Sequence, residues 1–169
     1  TAVPTNSTEG LVGIALNESK GTNTSTGEIK LGTAHSTGMF GENVSTITNE
    51  GKISIAGKAI GIYADNTSTI ANFDNHVTKE NAVINNKASL DFGDDSIGIF
   101  AKKSTINLTG TGSEDISTGK NGLGIYAKDS SVNLLTNYGF QLKDNGTGIY
   151  LENTETSAGT MEVKYTGAT

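Results

Sequence analysis

One octapeptide recurs along this chain and sharply limits what it can fold into. Its clearest form is Ala59-Ile60-Gly61-Ile62-Tyr63-Ala64-Asp65-Asn66. It returns as Ser96-Ile97-Gly98-Ile99-Phe100-Ala101-Lys102-Lys103 and as Gly122-Leu123-Gly124-Ile125-Tyr126-Ala127-Lys128-Asp129. A looser copy spans Gly146 to Asn153, and two degenerate copies come first, at Val12 to Asn17 and Thr37 to Asn43. The central glycines stand at 13, 38, 61, 98, 124 and 148, so the steps are 25, 23, 37, 26 and 24 residues. Near-equal steps mark a repeat architecture, and the one long step reads as a unit plus an insertion.

Within the motif, apolar residues alternate with period two, which is the pattern of a strand. On that parity Ile60, Ile62 and Ala64 face inward, while Gly61 and Tyr63 face outward. Other short alternating runs flank each motif. Glu28 to Leu31, Lys52 to Ile55, Ser89 to Phe92 and Phe140 to Leu142 precede a copy, and Ser68 to Ile70, Thr105 to Leu108 and Ser131 to Leu134 follow one. Gly, Asn, Asp, Ser and Thr turns divide them. Three strands and three turns in each unit predict an all-β fold, a parallel β-helix with three-strand coils. The right-handed sense follows from the rule for parallel crossovers. Each coil buries its apolar face on the next, so the unit cannot stand alone.

Composition agrees. The chain of 169 residues is 34% hydrophobic and 6% aromatic, thin material for a globular core but enough for columns of Ile, Leu and Val. Twenty-two glycines and a single proline suit many tight turns and uninterrupted strands. The whole chain, residues 1–169, reads as one solenoid segment with an insertion loop at 74–88 that carries Val83-Ile84 as an added strand. The first coil is weak, because its polar run at Thr22 to Thr24 offers nothing to bury. Neither end resembles a polar cap, and Met161 to Tyr165 reads as the start of another coil, so a piece of a longer rod is expected.

The net charge of −6, with all twelve cations lysine, makes nucleic acid a poor partner. No cysteine is present, which rules out a disulfide framework and thiolate metal ligands. No signal peptide, transmembrane run or lipidation motif is apparent. No cofactor or metal is expected.

Three features are candidates for function. Phe40, Tyr63, Phe100, Tyr126 and Tyr150 occupy one motif position and should stack into an outward ladder, with Ala15 in the first copy. Such a ladder either stiffens the sheet by covering neighbouring glycines or offers an apolar platform to a sugar or a protein. The insertion carries Asp74, His76, Lys79 and Glu80 and is a second binding candidate, since solenoid insertions gather on one face. The third is the acidic group Asp91, Asp94 and Asp95, which reads either as a polar turn or as paired carboxyls for glycoside chemistry or calcium. Seven Asn-x-Ser/Thr triplets are expected from composition alone and receive no role.

The tetrad Gly61-Ile62-Tyr63-Ala64, with Gly51-Lys52-Ile53-Ser54-Ile55-Ala56-Gly57 ahead of it, resembles the passenger repeats of the very large RadD-like fusobacterial outer-membrane adhesins, which are type V autotransporters. The resemblance covers roughly Gly10 to Tyr165. It implies a secreted rod at the bacterial surface, anchored through a C-terminal membrane barrel that is not in this chain. Its implied role is attachment to proteins or glycans of other bacteria or host cells, without catalysis. A β-helix carbohydrate-active enzyme, a polysaccharide hydrolase or lyase, is the alternative. An enzyme needs several ionisable side chains meeting in one groove.

Overall fold

The computed structural model describes residues 10–65, 82–86, 90–109, 115–134, 138–154 and 163–165. Among these residues there is no helix, and every strand belongs to one of three parallel sheets. Sheet one holds the motif strands β1 (Val12–Asn17), β4 (Thr37–Glu42), β7 (Ile60–Asp65), β10 (Ile97–Lys102), β13 (Leu123–Lys128) and β16 (Thr147–Glu152). Sheet two holds β2 (Lys20–Asn23), β5 (Thr46–Asn49), β8 (Ala82–Asn86), β11 (Ser104–Leu108), β14 (Ser131–Leu134) and β17 (Val163–Tyr165). Sheet three holds β3 (Glu28–Leu31), β6 (Lys52–Ile55), β9 (Leu90–Phe92), β12 (Ile116–Ser117) and β15 (Phe140–Gln141). Successive strands in the chain therefore visit sheets one, two and three in turn. The protein is a parallel β-helix with three strands per coil.

Like residues stack in register. Ile62, Ile99 and Ile125 lie one above another in sheet one, and Ile47, Ile84, Ile106 and Val132 in sheet two. All seven are fully buried. Burying one such side chain is worth about 1.5–3 kcal/mol, so each coil adds an increment only when the next one covers it. Ala64, Ala101 and Ala127 are also buried, at the crowded end of the motif strand.

The strict alternation fails at the motif glycine. Gly61 and Ile62 are consecutive and both buried, whereas Ile60 is half-buried on the outer side. A Cβ on Gly61 would stand 2.4 Å from the Phe92 ring and 2.5 Å from the Gly98 carbonyl oxygen. The glycine therefore faces the core, and the expectation that it points outward beside the aromatic ring is overturned. Space is the reason for glycine here. The same conflict links each motif glycine to the carbonyl of the next one, from Gly13 to Gly38 through Gly124 to Gly148, at 2.5–2.6 Å.

Corners on both sides of sheet one are made by left-handed residues, single except at Asn43-Val44, where both are left-handed. His35, Lys58, Asp95, Asn121 and Asn145, each two positions before a motif strand, have φ between 54° and 60°. Glu18, Asn43, Lys103 and Asp129, each just after one, have φ between 48° and 53°. Asn and Asp accept this conformation more readily than other non-glycine residues. Serines then tie one coil to the next: the Ser19 N–H donates to Ser45 Oγ at 3.3 Å and the Ser104 N–H to Ser130 Oγ at 3.0 Å.

Two strand assignments change. Val83 and Ile84 do not form an added strand. Their strand β8 is the regular sheet-two rung, paired with β5 and β11. The extra length of this coil lies ahead of it, at residues 66–81. Val163–Tyr165 pairs with Val132–Leu134, so it completes the sheet-two side of the coil begun by β16 and does not start another. The polar run near Thr22 is a proper rung as well, because Asn23 and Asn49 are both buried and Asn23 Nδ2 donates to Asn49 Oδ1 at 2.8 Å. The predicted strand Ser68 to Ile70 lies outside the described residues.

Candidate functional site

The outer face of sheet one collects the most unusual surface of the molecule. The residue after the inward-facing Met39, Ile62, Ile99, Ile125 or Ile149 points outward, and in-register pairing aligns Phe40, Tyr63, Phe100, Tyr126 and Tyr150. Ring centroids are 5.2 Å apart for Phe40–Tyr63, 4.9 Å for Tyr63–Phe100, 4.9 Å for Phe100–Tyr126 and 5.4 Å for Tyr126–Tyr150. The first two contacts are face to face, with interplanar angles of 19° and 5°; the third is edge-on at 63° and the fourth tilted at 40°. Rings in such a stack cover one another's faces and present their edges to solvent. Phe40, Tyr63 and Phe100 are accordingly half-buried, and only Tyr150, at the end of the ladder, is 50% exposed. A sugar stacking on an open ring face has room at that end but not along the first three rings.

Two residues beyond each ring lies a second column, which sequence reasoning missed. Glu42, Asp65, Lys102, Lys128 and Glu152 are in register. Tyr63 Oη donates to Asp65 Oδ2 at 3.2 Å, and Lys102 Nζ lies 3.7 Å from the same carboxylate. Tyr126 Oη donates to Glu152, whose other oxygen accepts from Lys128 Nζ at 2.8 Å. Burial, with Asp65 adding to it, raises the Tyr63 phenol above its ordinary value; the hydrogen bond to Glu152 does the same for Tyr126. Hydrogen bonds from Lys128 and Tyr126 hold the Glu152 carboxyl below the usual carboxylate range. The signal for this column was in the sequence, as a charged residue two places after every ring.

On the opposite margin runs the column of left-handed corner residues. His35, Lys58 and Asp95 line an open groove with Ile60 and Ile97. His35 thus stacks with corner residues of other coils. Farther along, amide side chains link the coils: Asn121 Nδ2 donates to Asp95 Oδ1 at 3.0 Å and Asn145 Nδ2 to Asn121 Oδ1 at 3.2 Å. Similar pairs join Asn43 to Asn17 and Asn133 to Asn107. Asn17, Asn23, Asn43, Asn107 and Asn145, all from the Asn-x-Ser/Thr triplets, are therefore ladder residues. Asn6 and Asn66 lie outside the described residues.

The acidic group behaves as a turn. Asp94 Oδ1 accepts the Lys120 N–H at 2.8 Å, and the Asp95 carboxylate is held by Asn121. Asp91 is exposed on β9, on a different face. Among the described residues no three or more His, Asp or Glu side chains gather to hold a metal ion. Asp74, His76, Lys79 and Glu80 lie outside the described residues. Comparison with known proteins finds no matching family model, curated protein or solved structure.

Proposed function

We propose that this chain is a rod segment of a bacterial cell-surface adhesin passenger, non-catalytic, whose sheet-one face contacts proteins or glycans on other bacteria or host cells. The observation that carries the reading is the continuous five-ring ladder between two charged margins on a stack of coils. Exposed contiguous apolar surface of this kind marks interaction sites. The solenoid supports display at a distance, since each coil adds length, and many weak contacts along it add by multivalency. Anchoring through a membrane barrel beyond this segment belongs to the same proposal. Face-to-face stacking of Phe40, Tyr63 and Phe100 favours a protein surface over a polysaccharide lying along the ladder. The enzyme alternative has less support, because Asp94 and Asp95 are engaged in a turn and Asp91 points elsewhere.

The test is binding of the isolated chain to intact bacterial and host cells and to a glycan array, beside a variant with Tyr63, Phe100 and Tyr126 changed to Ser. Circular dichroism must first show that the variant is folded. Loss of binding in the folded variant supports the reading. Binding that survives unchanged, or no binding by either protein, rejects this face as the contact surface and leaves the segment a spacer.

A further inference from the structure

Both charged margins of sheet one change sign between β7 and β10. On the margin where the motif strands end, Glu42 and Asp65 are followed in register by Lys102 and Lys128, and Glu152 then closes the column against Lys128. On the corner margin Lys58 is followed one coil later by Asp95, the order of signs being opposite. Between the margins lies the apolar strip of ring edges with half-buried Ile60 and Ile97. A face patterned in this way is complementary to itself.

We infer that this face pairs with the same face of a second copy of the chain. The two rods run antiparallel, about a two-fold axis parallel to the strands and midway between β7 and β10. Such an axis keeps each margin opposite itself and reverses the order of the coils. Asp65 then meets Lys102 of the second copy, Glu42 meets its Lys128, and Lys58 meets its Asp95, every contact being made twice by symmetry. The rings meet across the axis in the apolar centre. A parallel pairing, with the axis along the solenoid, matches Lys58 with Asp65 and Asp95 with Lys102 but leaves Lys128 opposite Asn121. The antiparallel arrangement uses more of the charges and is the one the pattern selects.

Six strands about 4.8 Å apart and about 20 Å long give a face of roughly 500 Å² per copy. A total near 1,000 Å² is at the lower limit for a specific interface, so the dimer is weak and reversible. Its ion pairs lie at the rim, so salt loosens it. The inference rests on the sheet-one face being a contact surface and not on where the rod is displayed.

Sedimentation velocity on the purified chain, from micromolar to submillimolar concentration at low and high salt, tests it without cells or glycans. The expected result is a concentration-dependent dimer that weakens in high salt. Asp65→Lys alone and Lys102→Asp alone should each remain monomeric, because like charges meet beside the axis. An equimolar mixture of the two variants should dimerise again, since each altered residue then faces its opposite. The contact between Asp65 and Lys102 within one molecule cannot produce rescue on mixing. Zero-length cross-linking of a mixture of isotope-labelled and unlabelled wild-type chains gives a readout that needs no variant: an Asp65–Lys102 link between the two isotopic forms. A chain that stays monomeric throughout, or that associates equally at both salts with no rescue and no such link, overturns the inference. Neither result affects the cell-binding test, so the two readings fail separately.

Discussion

Leu16 leaves no room for a side chain on Gly21: a Cβ there would stand 2.7 Å from Leu16 Cδ2. Elsewhere the sizes are exchanged. Gly41, Ala64, Ala101 and Ala127 are the register partners of Leu16 along sheet one, and Ile47, Ile84, Ile106 and Val132 continue the Gly21 column in sheet two. The first coil fills the same space from the other side. Leu16→Ala should cost about 1–2 kcal/mol, below the 2–5 typical of fully buried leucines because this one is only partly covered. Gly21→Ile should cost about 1–3 kcal/mol by overpacking. The double variant should lie nearer wild type than the sum, with a coupling energy of about 1 kcal/mol or more in urea unfolding. Simple additivity would mean that the two sites do not share one volume.

The glycine column makes a prediction about position. A Cβ on Gly124 would lie 2.6 Å from the Gly148 carbonyl oxygen and 3.0 Å from two carbons of the Phe140 ring, whereas one on Gly148 meets nothing closer than 3.8 Å. Gly124→Ala should therefore destabilise by about 2 kcal/mol or more, as small-to-large changes against backbone do. Gly148→Ala should be neutral or stabilise by up to about 1 kcal/mol, because it lowers the entropy of the unfolded chain. Thermal melts of the two variants make the comparison, and equal losses would refute the packing account.

Ser130 accepts the Ser104 N–H at 3.0 Å and donates its hydroxyl proton to the Lys128 carbonyl at 2.7 Å, at a position where both serines are buried. Ser130→Ala would leave that N–H without its acceptor, a loss of about 1–3 kcal/mol. Hydrogen exchange should locate it, with the Ser104 amide losing more protection than amides in coils farther away.

Alkaline pH should loosen the ladder. Tyr63 and Tyr126 both have phenol pKa values raised above the ordinary value of 10.0. The folded state holds these protons more tightly than the unfolded chain does. That contribution is complete below the unfolded value and is lost as pH rises through the raised folded values. Glu152 acts at the other end of the scale: its lowered carboxyl stabilises above the ordinary value of 4.5 and ceases to as pH falls through the folded value. Phenolate absorbance should show late-titrating tyrosines that vanish in the Tyr63→Phe, Tyr126→Phe double variant. The urea midpoint of that variant should also fall less steeply above pH 10 than wild type.

Much of this fold could be read from the chain because its period is short and its core residues repeat. Six in-register isoleucines build the columns of two of the three sheets, and their spacing shows in the sequence. What misled was the glycine. Parity alone sends Gly61 outward, and only the backbone of the neighbouring coil reveals that it faces in. Val83 and Ile84 read as an extra strand in the sequence because Ser68 to Ile70 matches the pattern closer to the motif. The ladder residues were legible as one column. The charged column is harder to read, because Glu42, Asp65, Lys102, Lys128 and Glu152 share neither residue type nor sign. Left-handed corners are hidden where Lys58 and His35 hold them, since neither residue type advertises that conformation.

The long connection at residues 66–81 has a consequence for how such a rod can be built upon. Strand β7 pairs with both its neighbours, and β8 pairs with both of its own, in the same register as coils whose corresponding corner is one to three residues long. The corner between sheets one and two therefore transmits nothing of its length to the stack. It is a permissive port: foreign sequence spliced between β7 and β8 should leave the rungs on either side in their order.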